Sequence, residues 1–501
     1  MTGENPAAPP ADDVLTVRRE KLDRLRGRGV DPFALRFDRD ALATELHERF
    51  GDLEAGASSN DTVRVAGRLV GLRRLGKLTF GVLRDSSGDI QLFLSDDTLT
   101  DEAQALLEDL DLGDWIGAQG DVVRTKRGEL SVAAAELTLL SKALRPLPEK
   151  WHGLRDVELR FRQRYLDLAT NREARERVMA RARMLAALRE HLEARGFVEV
   201  DTPILQAMPG GGLARPFVTH HEALDVPLYL RIAPELYLKR LLIGGLERVY
   251  EIGRNFRNEG IDREHEPEFT SLEAYQAYGT YEDMMELAEG LVKAGAEATL
   301  GSLTVEFRGT TLDLSKPWRR VPLAELVSEA VGERVGLDTP AERLCDIAEA
   351  HEVRYDPEWS AGQLLAELYE KLVEETIVEP TFVKDFPKDV SPLARPHRDD
   401  PRYTEHFDLV IAGIEMGPSY SELTDPDEQR ERFEMQAALK SAGDEEAHPY
   451  DDDFVLALEH GMPPAGGLGL GVDRLLMFLT DAPSLREVIL FPTLRPERRG
   501  G

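Results

Sequence analysis

The stretch Arg248-Val249-Tyr250-Glu251-Ile252-Gly253-Arg254-Asn255-Phe256-Arg257, followed by Asn258-Glu259, decides how this chain is read. It has the period of two of a β-strand. Glu251, Arg257 and Glu259 fall on one face, and Tyr250, Ile252 and Phe256 on the other. The apolar face packs inward, while Arg257 and Glu259 look into a cleft. The planar fork of Arg257 suits a phosphate or a carboxylate, giving orientation as well as charge. A salt-bridged hairpin is the competing reading. After a polar loop come His265 and Phe269, an imidazole for a phosphate tail and a ring for stacking a purine.

Upstream, Glu173 to Arg195 reads as a helix with Val178, Leu185, Leu188 and Leu192 on one face, closed by Gly196. Phe197 to Pro203 reads as a strand ended by proline. Downstream, glycines 466, 467, 469 and 471 precede a helix start at Asp473-Arg474. A ligand phosphate or ring approaches such a backbone closely, with Arg474 beside it; a tight turn is the plainer reading. Together Arg257 and Arg474 predict an ATP site. Asp408 and Glu415 lie in apolar strands, where a carboxylate is costly without a partner. Magnesium bound to ATP would serve, and so would an ordinary salt bridge. Strands and helices mix without regular βαβ alternation, and no Gly-x-Gly-x-x-Gly opens a helix after a strand. The predicted class is α+β with an antiparallel sheet.

The 501 residues predict two or three domains. A net charge of −31 argues against general nucleic-acid affinity and leaves room for a local basic face. Such a face is present. Residues 61–85 hold Arg64, Arg68, Arg73, Arg74, Lys77 and Arg84 against Asp61 and Asp85. The same region alternates in strand fashion from Val63 to Leu69, continues through Thr79 to Leu83 and Asp89 to Phe93, and predicts a small barrel to about residue 142. Phe80 is the candidate stacker for single-stranded nucleic acid, or else a core residue of the barrel. Residues 1–13 read as a disordered tail without the core of a signal peptide, and Val14 to Arg28 as an amphipathic helix. The single cysteine, Cys345, excludes an internal disulfide and reads as a buried thiol. A reducing cytoplasm and no membrane span are expected.

Several longer stretches carry a specific resemblance. They are Ala143-Leu144-Arg145-Pro146-Leu147-Pro148-Glu149-Lys150, Arg162-Gln163-Arg164-Tyr165-Leu166-Asp167-Leu168, Ala214-Arg215-Pro216-Phe217-Val218-Thr219-His220-His221 and Leu230-Arg231-Ile232-Ala233-Pro234-Glu235-Leu236-Tyr237-Leu238-Lys239-Arg240. With these, the chain resembles the bacterial lysyl-tRNA synthetases of the second class, relatives of the aspartyl and asparaginyl enzymes, almost throughout its length. The three class motifs map to the helix-strand ending at Pro203, the Arg257 region and Gly469–Arg474.

The resemblance implies ligation of lysine to tRNA(Lys) through a lysyl-adenylate. It implies an N-terminal extension (1–60), an OB-fold anticodon-binding barrel (61–146) and a class II catalytic domain (147–501), assembled as a homodimer. It places ATP on Arg257, Glu259, His265, Phe269, Glu415 and Arg474, with Arg257 and Arg474 catalytic, and Mg2+ on Asp408 and Glu415. It places lysine on Gly211, Glu235, Glu273, Tyr275, Tyr420 and Glu422, and the anticodon on Arg68, Phe80, Gln91 and Glu129. The chain departs from the family at Asp408, usually Glu, and at Pro418-Ser419, usually Asn-Gly or Thr-Gly. The alternative is a specialised paralogue, which charges tRNA for another use or activates a lysine analogue.

Overall fold

The computed structural model describes residues 11–148, 154, 156–441 and 448–496. Two compact units result, Met1–Arg155 and Asp156–Gly501. Of the tail expected over residues 1–13, positions 1–10 lie outside the described residues, and Ala11 already opens the helix Ala11–Gly27.

The first unit is built on a closed barrel of β1 (Ser58–Leu75), β2 (Leu78–Arg84), β3 (Asp89–Ser95), β4 (Trp115–Arg124) and β5 (Leu130–Ser141), in the order β1-β2-β3-β5-β4. Alternation sorts the side chains. Leu83, Ile90, Leu92 and Leu94 fill the interior, while Phe80, Val82, Gln91 and Phe93 stand on the outer face. Phe80 is therefore not a core residue; it meets Phe93 edge-on at 5.6 Å. A bulge in β1 between Leu69 and Gly71 shifts the register by one residue.

The second unit contains β6 (Val198–Glu199), β7 (Leu205–Gln206), β8 (Val218–His221), β9 (Val226–Leu230), β10 (Arg248–Phe256) and β11 (Glu268–Ala277). There follow β12 (Thr304–Phe307), β13 (Thr310–Asp313), β14 (Arg319–Pro322), β15 (Thr381–Lys384), β16 (His406–Ile411), β17 (Ile414–Ser421) and β18 (Ala465–Gly471). Eight of these form one sheet, in the order β14-β15-β16-β17-β18-β11-β10-β6. It is antiparallel from β15 to β10 and parallel in the outermost pairs, β14 with β15 and β6 with β10. The strand expected over Phe197–Pro203 shrinks to Val198–Glu199 at this edge.

The helices Arg172–Glu193 and Tyr281–Leu300 cover one face of the sheet. Met184, Leu188 and Leu291 pack there on Tyr250, Leu272, Leu468 and Leu470. Each fully buried leucine contributes about 1.5–3 kcal/mol. The first helix ends before Gly196, whose φ of 80° is the left-handed turn that glycine adopts without strain. The glycine-rich segment, for which a tight turn was the plainer expectation, is instead the strand β18, between β17 and β11. A separate helical layer, Leu323–Val331, Ala341–Ala350 and Ala361–Leu372, has its own core against Val383 and Val410. Cys345 lies there half-buried rather than fully enclosed.

Candidate active site

The uncovered face of the sheet carries a cleft, and parity decides what enters it. On β11 the even residues Leu272 and Ala274 face the helices, so Glu273 and Tyr275 face the cleft. On β10, Tyr250 packs inward, leaving Asn255 and, just past the strand, Arg257 for the cleft. β17 would lose its phase part-way, because Glu415 and Tyr420 have opposite parity. The register shift opposite Leu409 and Val410 leaves Met416 as an extra residue. Glu415 before this bulge, and Pro418 and Tyr420 after it, all reach the cleft.

At one end stand two guanidinium groups. Arg257 lies over the Phe269 ring at 5.2 Å, and its buried Nε has no partner among the described residues. An unpaired buried donor on a cation suits an anionic acceptor. Arg474 donates to the Glu415 carbonyl at 2.7 Å and sits 3.3 Å from Glu415 Oε2. Its other Nη is 3.2 Å from His265 Nε2, whose Nδ1 is held 2.8 Å from Asp262. Asp473 fixes the start of the helix Val472–Leu479 by accepting from the Thr270 N–H at 2.7 Å and pairing with Arg181. Arg257, Glu259, His265, Phe269, Glu415 and Arg474 all line this one cleft.

Asp408 is not at the cleft wall; it lies on the neighbouring strand with an oxygen 3.0 Å from His406 Nε2. Burial, opposed by His406 and aided by Glu415, moves its carboxyl upward. Glu374, which no sequence motif marked, joins the pair. Burial and the charges of Glu415 and Asp408 push it up to about 8. No preformed cage of three ligands exists among the described residues. Mg2+ needs only one or two carboxylates besides substrate phosphates, and carboxylates short of positive charge fit it.

At the other end the cleft is bounded by Gly211, Glu273, Tyr275 and Tyr420, with Glu235 and Glu422 buried behind them. The Tyr275 hydroxyl donates to Glu273 at 3.1 Å. Burial, then the nearby Glu235, pushes Glu273 up to about 8. Burial also raises Glu422, despite the ammonium of Lys239 against its Oε2. Among the described residues, four buried carboxyls gather here, on Glu235, Glu251, Glu273 and Glu422. Two buried cations face them: Arg231 pairs with Glu251, and Lys239 bridges Glu235 and Glu422. The carboxyls outnumber the cations by two, and burial holds protons on Glu273 and Glu422 until a further cation arrives. Gly467 is required beside them, since a Cβ there would overlap the Glu422 carboxylate and the Tyr275 ring. Gly211, at φ 83°, donates its N–H to His448 Nε2 at 2.9 Å.

Lys239 follows Glu235 by one helical turn and was legible as an i,i+4 pair. His448 and Glu374 had no sequence signal; only the tertiary fold brings them to the site.

Residues 156–495 match the family described as tRNA synthetases class II (D, K and N), and residues 63–140 match the OB-fold nucleic acid binding domain. The chain belongs to the class II tRNA synthetases. A lysine–tRNA ligase of Syntrophomonas wolfei is 50% identical over 484 residues, 97% of each chain. The lysine–tRNA ligase of Thermosynechococcus vestitus is 49% identical over 98% of each chain, and that of Bacillus subtilis 46% identical over 97% of each.

The barrel of this synthetase has a groove on its outer face. Phe80, Gln91 and Glu129 line it together. Arg68, expected with them, does not. Its guanidinium lies over Trp115 at 4.7 Å and donates to the Gly113 carbonyl at 3.1 Å. Arg68 pairs across the strand with Arg84, four residues from Phe80, whereas Arg73 pairs with Phe80 itself and lines the groove. No helix of this synthetase, among the described residues, is long and apolar enough to cross a membrane.

Proposed function

We propose that the protein ligates lysine to tRNA(Lys) in two steps at the cleft, using ATP. The observation that carries the reading is the excess of carboxyls at the amino-acid end: four buried carboxyls against two buried cations. Lysine brings two ammonium groups, and its methylenes fit between Tyr275 and Tyr420. The relatives named lysine–tRNA ligase over nearly the whole chain favour this reading over a specialised paralogue.

In the first step the lysine carboxylate attacks the α-phosphorus of ATP and pyrophosphate leaves. Arg257 and Arg474 hold the phosphates and take up the charge that develops on the pentacovalent phosphorus. Phe269 stacks the adenine, and Glu259 and His265 position the triphosphate. Asp408 and Glu415 would hold Mg2+, which when bound supplies charge neutralisation between phosphate oxygens. In the second step the terminal ribose hydroxyl of tRNA attacks the adenylate carbonyl and AMP leaves. No side-chain nucleophile is needed, because the work is positioning. Gly211 and Glu235 receive the α-ammonium; Glu422, Tyr275 and Glu273 receive the ε-ammonium.

We assign residues 61–146 to anticodon binding through Arg73, Phe80, Gln91 and Glu129, residues 147–501 to catalysis, and 1–60 to an N-terminal extension. A cytoplasmic homodimer is part of the reading. It is supported by exposed apolar side chains around the first class motif and the β8–β9 hairpin, with Val198 53%, Val218 64% and Leu224 67% exposed. Amino-acid-dependent ATP–pyrophosphate exchange tests the proposal. Lysine is expected to support exchange well above ornithine or arginine; exchange with none of them, or preference for another amino acid, overturns it.

A further inference from the structure

The amino-acid end of the cleft already contains an ammonium. Lys239 is fully buried, its Nζ 2.6 Å from Glu235 Oε1 and against Glu422 Oε2. Those two carboxylates come from different elements, the helix Glu235–Ile243 and the end of β17. Apart from Lys239, neither oxygen of Glu422 has a partner among the described residues. The flanking helix positions are apolar: Leu236, Leu238 and Leu242 sit in a hydrophobic cluster. Packing alone would be served there by another apolar side chain. A buried cation is costly unless its geometry is useful, and replacing such groups by hydrophobic ones is often neutral or stabilising.

We propose that Lys239 is a positioning residue for ammonium recognition, a resident cation that ties the Glu235 and Glu422 carboxyls together at a fixed separation. This rests on the cleft being the amino-acid site. Without the resident cation, nothing would tie the two carboxyls to one another, and burial would act on Glu422 with no counter-charge beside it. A protonated carboxyl is a poor partner for an incoming ammonium. With Lys239 in place, its ammonium opposes part of what burial does to Glu422 and leaves Glu422 Oε1 for the incoming ligand. Glu273 and Tyr275, which Lys239 does not contact, complete the opening. Lys239 touches no ligand in this scheme and acts through the two glutamates.

Two variants separate charge from space. K239M keeps a stem of similar volume and removes the charge. K239A leaves room for n-propylammonium, which matches the missing Cγ to Nζ. Exchange by the wild-type protein with lysine first tests the functional reading independently. In K239M the KM for lysine is expected to rise about 100-fold, with the KM for ATP within about threefold and the far-UV circular dichroism unchanged. In K239A, n-propylammonium is expected to lower the lysine KM about tenfold or more, while uncharged 1-propanol does not. A K239M lysine KM within about threefold of wild type overturns the inference, as does equal rescue of K239A by 1-propanol.

Discussion

Arg257 is the residue on which the phosphate end turns. Its Nε is buried and unpartnered among the described residues, so that donor gains an acceptor when an anion arrives. Arg257→Ala is expected to lower lysine-dependent pyrophosphate exchange about 10²–10³-fold with little change in melting temperature. At the other end the carboxyls set the pH dependence. Glu273 sits at about 8 and Glu422 is also raised, both first through burial. Below that range they hold protons and are poor acceptors of an ammonium. The lysine KM should therefore fall as pH rises from 6.5 through 8, and Glu273→Gln should flatten the profile. The stability of the unliganded protein moves the other way. Folding binds protons to these groups, so stability is fully present below the ordinary glutamate range and is lost as pH rises through about 8. Thermal melts across pH, with and without lysine, check both signs.

At the scale of elements, the site depends on how strands and one helix are keyed together. The bulge at Met416 lets β17 offer Glu415 to the phosphate end and Tyr420 to the amino-acid end from one face. The helix that carries Arg474 is pinned by Asp473, which accepts from Thr270 on β11 and pairs with Arg181 on the helix Arg172–Glu193. Asp473→Ala leaves the Thr270 N–H without its acceptor and Arg181 with only the Thr270 hydroxyl. It is expected to destabilise the catalytic unit by about 3 kcal/mol and to lower exchange by displacing Arg474. Urea unfolding beside exchange kinetics measures both; unchanged stability would remove Asp473 from this role.

At the scale of the whole molecule, the barrel and the catalytic sheet are separate compact units, so their chemistry should separate in assays. Arg73→Ala and Phe80→Ala are expected to weaken tRNA binding by about 1–3 kcal/mol while leaving tRNA-free exchange intact. Arg73→Ala should also reduce the slope of log affinity against log salt by about one. Arg68→Ala should do neither, because its guanidinium is already committed to Trp115 and Gly113. Filter binding over a salt series distinguishes the two arginines.

What the sequence determined by itself was local. The alternation in Arg248–Arg257, the helix closed by Gly196 and the long matching stretches placed strands, helices and the two arginines, because period and turn chemistry are properties of neighbouring residues. The glycines before Arg474 were legible as a close approach but not as a strand. Only the fold supplies the Tyr275 ring and Glu422 carboxylate that exclude a Cβ at 467. The exchange of Arg68 for Arg73 required the cross-strand register, which one bulged residue decides. The four buried carboxyls against two buried cations, with Lys239 among them, were settled by tertiary structure alone. Desolvation depends on which distant strands and helices close around a group, and no local pattern encodes that.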